Sequence, residues 1–137
     1  MTSLADDVVA IQNVKALYCA AVDRLSDDQT GVEEGFRRIF LPDVTADYGA
    51  EPLLGADALA DFLGAALVAN SEWRIHMLHS PLITVDGDRA TGDWTVMVYL
   101  KRPGDAPVDM VLGRYSDAFQ RTADGWRIAG VRFTRQA

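Results

Sequence analysis

The chain has 137 residues, 49% of them hydrophobic, and its 20 acidic and 13 basic residues give a formal net charge of -7. This composition excludes a disordered acidic tail, and the negative charge disfavours partners that need a basic surface, such as nucleic acid or an anionic membrane. The single cysteine, Cys19, excludes an intrachain disulfide, and the acidic N-terminal stretch is unlike a signal peptide. We therefore predict one cytoplasmic domain over residues 1–137.

Apolar residues spaced three and four apart predict three helices in the first half of the chain. At the start of the first helix, Ser3 and Asp6 resemble a capping box, in which each residue bonds the other's backbone N–H. The second helix is expected to stop before a proline. The three predicted helices cover residues 2–25, 32–40 and 55–69.

Alternating apolar residues predict strands, mostly in the second half of the chain. The Asp86-Gly87-Asp88 turn predicts a hairpin, and a second hairpin follows a proline-flanked loop. Helices followed by antiparallel strands indicate an α+β fold, with the helices on one face of a curved sheet. The predicted strands cover residues 44–50, 72–85, 89–102, 108–122 and 125–135.

The two histidines of the chain, His76 and His79, are three residues apart in a predicted strand. Side chains alternate between the two faces of a strand, so the two imidazoles are expected on opposite faces. No nearby cysteine or carboxylate completes a ligand set, and we predict neither a metal site nor a cofactor. One histidine can therefore face a pocket, and the alternation alone does not decide which.

Several phrases, in this order along the chain, resemble the NTF2-like superfamily and its SnoaL-like and scytalone dehydratase-like branch. The phrases are ALYCAAVDRLSDD, VTADYGA, HMLHSPLITVDGDRATG, GRYSDAFQRTADGWRI and VRFTR. The resemblance implies a cone of strongly bent, antiparallel or mixed sheet wrapped around N-terminal helices, with an interior pocket. Because this superfamily includes dehydratases, isomerases, cyclases, epoxide hydrolases and non-catalytic modules, the fold alone does not define the chemistry.

The resemblance also implies a set of catalytic residues. Scytalone dehydratase has an Asp, a Tyr and a His that match Asp23, Tyr48 and His76. Bile acid 7α-dehydratase is similar and adds matches at Tyr18 and Arg132. The resemblance thus selects His76 over its neighbouring histidine as the base, with Asp23 to orient it. From the residues alone, Tyr18 also fits core packing and Tyr48 also fits an edge-strand aromatic.

Further residues are predicted to contact a substrate, namely Trp94, Tyr99, Tyr115 and Arg132. Trp94 lies where scytalone dehydratase has a second histidine. Trp94 and Tyr99 lie on opposite faces of one strand, and either face could line the pocket. We interpret Asp117 with Arg132 as a structural ion pair across the last two strands.

These residues predict a cofactor-independent lyase of the dehydratase type that acts on a small cyclic, steroid-like or polyketide-like molecule. An isomerase or cyclase with the same site and a non-catalytic ligand-binding module are the alternatives, and an epoxide hydrolase using Asp93, Asp117 and Arg132 matches less well. A curved sheet leaves one apolar face to cover, so we also predict a homodimer or homotrimer.

Overall fold

The computed structural model describes residues 2–137 as three helices packed on a six-stranded sheet. In chain order the elements are α1 (Leu4–Asp23), α2 (Gln29–Ile39), β1 (Phe40–Asp47), β2 (Leu53–Leu54), α3 (Ala56–Asn70), β3 (Trp73–Asp86), β4 (Arg89–Lys101), β5 (Val108–Thr122) and β6 (Gly125–Arg135). The strand order is β2-β1-β6-β5-β4-β3, with β1 and β6 parallel and the other neighbours antiparallel. The predicted α+β class with a mixed, curved sheet is confirmed.

Helix α1 begins with the predicted capping box. The Ser3 side chain accepts a hydrogen bond from the backbone N–H of Asp6, and the Asp6 carboxylate accepts one from the N–H of Ser3. The buried face includes the expected Ile11 and Tyr18, whereas Leu4 is 65% exposed at the first turn. Among residues 2–137, none of the helices combines the length and apolar character needed to cross a bilayer.

The chain passes directly from α2 into β1, which differs from the sequence prediction. The predicted second helix included Phe40, but the helix ends at Ile39 and Phe40 is the first residue of the strand. Pro42 lies within β1, in the stretch between Phe40 and Thr45 where pairing with β6 is interrupted. Its missing N–H therefore costs no ladder hydrogen bond there. The two-residue strand β2 carried no sequence signal.

A β-bulge in β3 changes which residues face the interior. Pairing with β4 is interrupted between His79 and Leu82, and Ser80 has a φ of 52°. Before the bulge the even-numbered residues face inward, whereas after it Leu82 is 67% exposed. His76 and His79 both precede the bulge, so they lie on opposite faces as the alternation predicts.

A second bulge lies in β6. Phe119 of β5 pairs with Ile128 while its neighbour Ala118 pairs with Gly130, so Ala129 is the extra residue. The inward face consequently changes from even-numbered to odd-numbered positions along β6. The inward-facing side chains are Trp126, Ile128, Val131 and Phe133.

The interior is closed at one end and open at the other. At the closed end the Trp94 ring covers Gly92, so close that a Cβ on this glycine would lie 2.6 Å from the ring. Phe119 packs beside Trp94 with their ring centroids 6.0 Å apart. Toward the other end, side chains from α1, α3 and the sheet surround a cavity.

Candidate active site

The structure brings Asp23 and His76 together where α1 ends. Nδ1 of His76 lies 2.7 Å from Oδ1 of Asp23, and the backbone N–H of His76 donates to Oδ2 at 3.1 Å. Strand β3 is the edge of the sheet, so this N–H, which points away from β4, bonds the helix instead of another strand. Both carboxylate oxygens of Asp23 therefore hold the histidine.

The contact with Asp23 determines which ring nitrogen of His76 is free. An ionised carboxylate can only accept hydrogen bonds, so in the neutral form of His76 this contact places the proton on Nδ1 and the lone pair on Nε2. The side chain of His76 is 8% exposed and lines the interior cavity, whereas that of Asp23 is 22% exposed. A neutral imidazole oriented by a carboxylate in this way is suited to act as a general base.

The cavity has a volume of about 160 Å³ and a mostly apolar lining. Aliphatic side chains from α1, α3, β4 and β5 form its walls, together with the ring of Phe133 from β6. The polar groups that reach it are those of His76, Arg74 and three tyrosines. An apolar chamber with few polar groups is typical of sites for small organic molecules.

The three tyrosines of the cavity are Tyr18, Tyr48 and Tyr115. The hydroxyls of Tyr18 and Tyr48 lie 2.7 Å apart, and the rings of Tyr18 and Tyr115 meet edge to face at 5.9 Å. Burial raises the pKa of all three phenols above the ordinary value of 10.0. They stay protonated near neutral pH, and one of the two protons shared by Tyr18 and Tyr48 is free to be donated into the cavity.

Arg74, which the sequence analysis did not select, lies beside the Asp23–His76 pair. It is 4% exposed and donates hydrogen bonds to the carbonyl oxygen of Val22, to Ser71 and to Ser26. Burial lowers the pKa of Arg74, and the Asp23 carboxylate opposes that shift. The guanidinium thus ties the C-terminal ends of α1 and α3 to β3. Its place near the site could have been predicted from the sequence, because Arg74 is two residues before His76 and residues two apart share a strand face.

A second acid–base pair, Lys15 with Asp117, lies in the interior near Trp94. Nζ of Lys15 is 2.8 Å from Oδ2 of Asp117, and both side chains are 0% exposed. Burial raises the pKa of Asp117, and the Lys15 ammonium opposes that shift. The expected ion pair of Asp117 with Arg132 is therefore wrong. The sequence held one signal for Lys15, which lies on the apolar stripe of α1.

Two of the predicted substrate contacts lie away from the cavity. Tyr99 is on the outer face of β4 and 38% exposed, because the inward face of this strand is the one that carries Trp94. Arg132 is also on the outer face, where its Nε lies 4.0 Å from a carboxylate oxygen of Asp47. The bulge at Ala129 is the physical reason, since it turns Arg132 outward. We correct both assignments.

The remaining candidates have other surroundings. Trp94 faces inward but fills the closed end rather than lining the cavity, whereas Tyr115 does line it. Asp93 is exposed on the outer face, so it does not meet the buried Asp117, and the residues considered for an epoxide hydrolase do not converge. Cys19 is buried, and burial raises the pKa of its thiol to about 12. It is therefore a poor nucleophile.

His79 is exposed on the outer face, away from His76. Its partner across the ladder is Thr95, whose hydroxyl donates to the carbonyl oxygen of His79. Within residues 2–137 there is no group of three His, Cys, Asp or Glu side chains arranged to hold a metal ion.

Known proteins resemble this chain both in sequence and in fold. The uncharacterized protein Rv2910c of Mycobacterium tuberculosis is 33% identical over 135 residues, which cover 93% of this chain and 86% of the relative. An NTF2-like superfamily protein from Salmonella enterica superposes with a TM-score of 0.85 at 19% identity, covering 98% of this chain and 94% of that one. A protein provisionally named a scytalone dehydratase, from Novosphingobium aromaticivorans, gives 0.83 at 16% identity, covering 97% and 86%.

The two solved structures share the fold, with helices packed on a cone of bent sheet. The family defined by the SnoaL-like domain matches residues 3–132, which is nearly the whole chain. With that match, the chain belongs to the SnoaL-like domain family.

Proposed function

We propose that the protein is a cofactor-independent lyase that removes water from a small cyclic hydroxy-ketone. The observation that carries this proposal is the contact between Nδ1 of His76 and Asp23 at 2.7 Å, which leaves Nε2 free on a side chain that lines an apolar cavity. The family and its dehydratase-type structural neighbours agree with this class of reaction. In this proposal the whole chain acts as one SnoaL-like domain in the cytoplasm, where the buried Cys19 stays a thiol.

In the proposed reaction, Nε2 of His76 removes a proton from the carbon next to the substrate carbonyl. The electron pair moves onto the carbonyl oxygen, which becomes an oxyanion hydrogen-bonded by Tyr18 or Tyr48. The carbonyl then re-forms as the bond from the neighbouring carbon to its hydroxyl breaks, and the protonated His76 gives its proton to this leaving group. The products are an unsaturated ketone and water. Donors fixed in a water-poor site stabilise the oxyanion more than water does.

The volume of the cavity favours a substrate with one ring. At about 160 Å³ it is close to cavities of about 150 Å³ that bind benzene. A substituted monocycle, such as a polyketide-derived ring, therefore fits better than a four-ring steroid. The same residues could catalyse an isomerisation if the proton were returned to a different carbon instead of to the hydroxyl.

The test is to incubate the protein with a panel of hydroxylated single-ring ketones and follow the loss of one water by mass spectrometry. We expect turnover by the wild type and a loss of about 100-fold to 10,000-fold in His76→Ala, the usual contribution of a general base. His79→Ala is the matched control, because it removes the exposed histidine of the same strand. Equal activity of the two variants contradicts the proposal. Ligand binding without turnover indicates the non-catalytic alternative.

The outer face of the sheet supports a homodimer or homotrimer. Apolar side chains on β3, β4 and β5 lie next to one another there, because Ile75 pairs with Tyr99 and Tyr99 with Met110. These three are 48%, 38% and 43% exposed. Covering such a patch with a second copy removes apolar surface from water. Sedimentation of the wild type and of Ile75→Lys tests this, and a monomer for both contradicts it.

A further inference from the structure

The buried Lys15–Asp117 pair lies directly behind the tyrosines of the cavity. Nζ of Lys15 is 3.4 Å from the ring centroid of Tyr115 and 4.1 Å from that of Tyr18. Both rings line the cavity, whereas Lys15 does not. The ammonium thus contacts the faces of two phenol rings that also line the cavity in which we propose the reaction takes place.

The hydrogen bonding of the pair is incomplete. Nζ of Lys15 and Oδ2 of Asp117 are 2.8 Å apart, and among the described residues neither the ammonium nor the carboxylate has a further side-chain hydrogen-bond partner. A fully buried ammonium costs several kcal/mol in desolvation unless other interactions compensate. The faces of the Tyr115 and Tyr18 rings supply such an interaction, because an aromatic face attracts a cation.

Stability alone is a weak explanation for this pair. Buried ion pairs can often be replaced by apolar residues of similar volume with no loss of stability. A positive charge on the face of a phenol ring, in contrast, withdraws electron density and makes its hydroxyl a stronger hydrogen-bond donor. The charge of Lys15 therefore acts where the proposed oxyanion forms.

We propose that Lys15, held by Asp117, is a positioning residue that strengthens the hydrogen bond that Tyr18 donates to the oxyanion in the cavity, and that Tyr115, whose ring contacts the same ammonium, is a further donor to it. This inference rests on the proposed function, since it concerns the oxyanion of that reaction. Neither Lys15 nor Asp117 lines the cavity, so in this proposal neither residue touches the substrate.

The test measures binding of an oxyanion without any turnover. The probe is 4-nitrophenolate, a single-ring oxyanion whose absorbance changes when it is bound, and nitrobenzene is the neutral ring for comparison. The affinity ratio of the two is measured for the wild type and for Lys15→Met/Asp117→Leu, which removes both charges at similar volume and so is expected to fold. Lys15→Arg keeps the cation. Lys101→Met is the matched control, because it removes the other lysine of the chain, whose Nζ bonds loop carbonyls.

We expect the preference for 4-nitrophenolate over nitrobenzene to fall about tenfold in Lys15→Met/Asp117→Leu, because the phenol hydroxyls lose the nearby positive charge that strengthens them as donors in a dry site. Lys15→Arg should retain most of it and Lys101→Met all of it. If the wild type and the double variant show the same preference, Lys15 has no such role, while the proposed function stands. If the wild type itself shows no preference for the anion, the tyrosines do not bind an oxyanion, and both proposals fail.

Discussion

Helix α1 contributes one residue to each of two acid–base pairs, and the surroundings of the two pairs differ. Asp23 and His76 meet at the open end of the interior, with both carboxylate oxygens in hydrogen bonds and one ring nitrogen free. Lys15 and Asp117 meet near the closed end, where both side chains are fully buried. The difference shows that a buried pair of opposite charges does not by itself make a reactive site. A reactive site also needs a proton acceptor that is not already hydrogen-bonded and a cavity beside it for the substrate.

The largest expected effect is on turnover, when the Asp23–His76 pair is broken. Asp23→Asn replaces an acceptor with an amide that also donates, so His76 is no longer held with its proton on Nδ1. We expect kcat to fall by up to about 10,000-fold, the loss that follows when the carboxylate of a serine-protease triad is replaced by an amide. The melting temperature should change little. The measurement is turnover of the substrate identified by the panel.

Asp47→Asn is the control for this variant, because it changes a carboxylate on the outer face near Arg132. Near-normal turnover by Asp23→Asn would mean that the carboxylate does not orient the base.

Breaking the Lys15–Asp117 pair should mainly lower the stability of the fold. Asp117→Ala leaves the Lys15 ammonium buried without a counter-charge, and we expect the free energy of unfolding to fall by about 3–5 kcal/mol. Urea denaturation measures this loss. Lys15→Met/Asp117→Leu should stay near the wild type because neither charge is left alone. A double variant as unstable as Asp117→Ala would show that the attraction between the charges, rather than the unpaired charge, decides the stability.

A smaller effect is expected at the part of the cavity wall that Phe133 forms. The Phe133 ring lies over Gly113, and a Cβ there would be 2.5 Å from the ring and 2.7 Å from the carbonyl oxygen of Thr134. Gly113→Ala must therefore displace Phe133, which lines the cavity. We expect a loss of about 1–3 kcal/mol in unfolding free energy and weaker binding of nitrobenzene.

Gly35→Ala is the control for this substitution, because no atom lies within 4 Å of the added Cβ and it sits in α2. It should be neutral or slightly stabilising. Unchanged nitrobenzene binding by Gly113→Ala would contradict the predicted movement of the ring.

The smallest effect concerns the N-terminal end of α1. Asp7 accepts hydrogen bonds from Arg121, Thr2 and Trp126, and those from Arg121 hold its pKa well below the ordinary 3.8. A depressed carboxyl pKa stabilises the fold above the unfolded-state value, and this stabilisation is lost as the pH falls through 3.8 toward the folded-state value. Asp7→Asn should therefore lower the urea midpoint near neutral pH and flatten its decline in acid.

The exposed Asp57 is the control for Asp7, since it contacts Arg37 only at the surface. If Asp7→Asn and Asp57→Asn give the same pH profile, the buried contacts of Asp7 contribute no acid sensitivity.

The sequence predicted most of the fold because periodicity is a local property. Strand alternation placed His76 and His79 on opposite faces, and this held because both precede the bulge in β3. The same rule could not place Arg132, since the inserted residue Ala129 is ordinary in type and becomes a bulge only through its pairing with β5. Strand β2 was missed because two residues carry no periodicity.

For the site, resemblance identified residues that the structure brings together, namely Asp23 with His76 and Tyr18 with Tyr48. Their catalytic roles stay predictions. Lys15 and Arg74 were missed because long basic side chains are usually solvated. Local spacing places Lys15 on the apolar stripe of α1 and Arg74 on the face of His76, but it does not identify the distant partners that bury them, Asp117 for one and the ends of two helices for the other.

The hydrogen bond from the backbone N–H of His76 to Asp23 has a further consequence for association between molecules. An edge strand with free backbone donors can pair with a strand of another chain and begin aggregation. Asp23 occupies such a donor near the start of the long strand β3, and the end of α1 covers the edge there. The carboxylate proposed for catalysis therefore also protects the sheet against unwanted strand addition, and replacing it risks aggregation as well as inactivity.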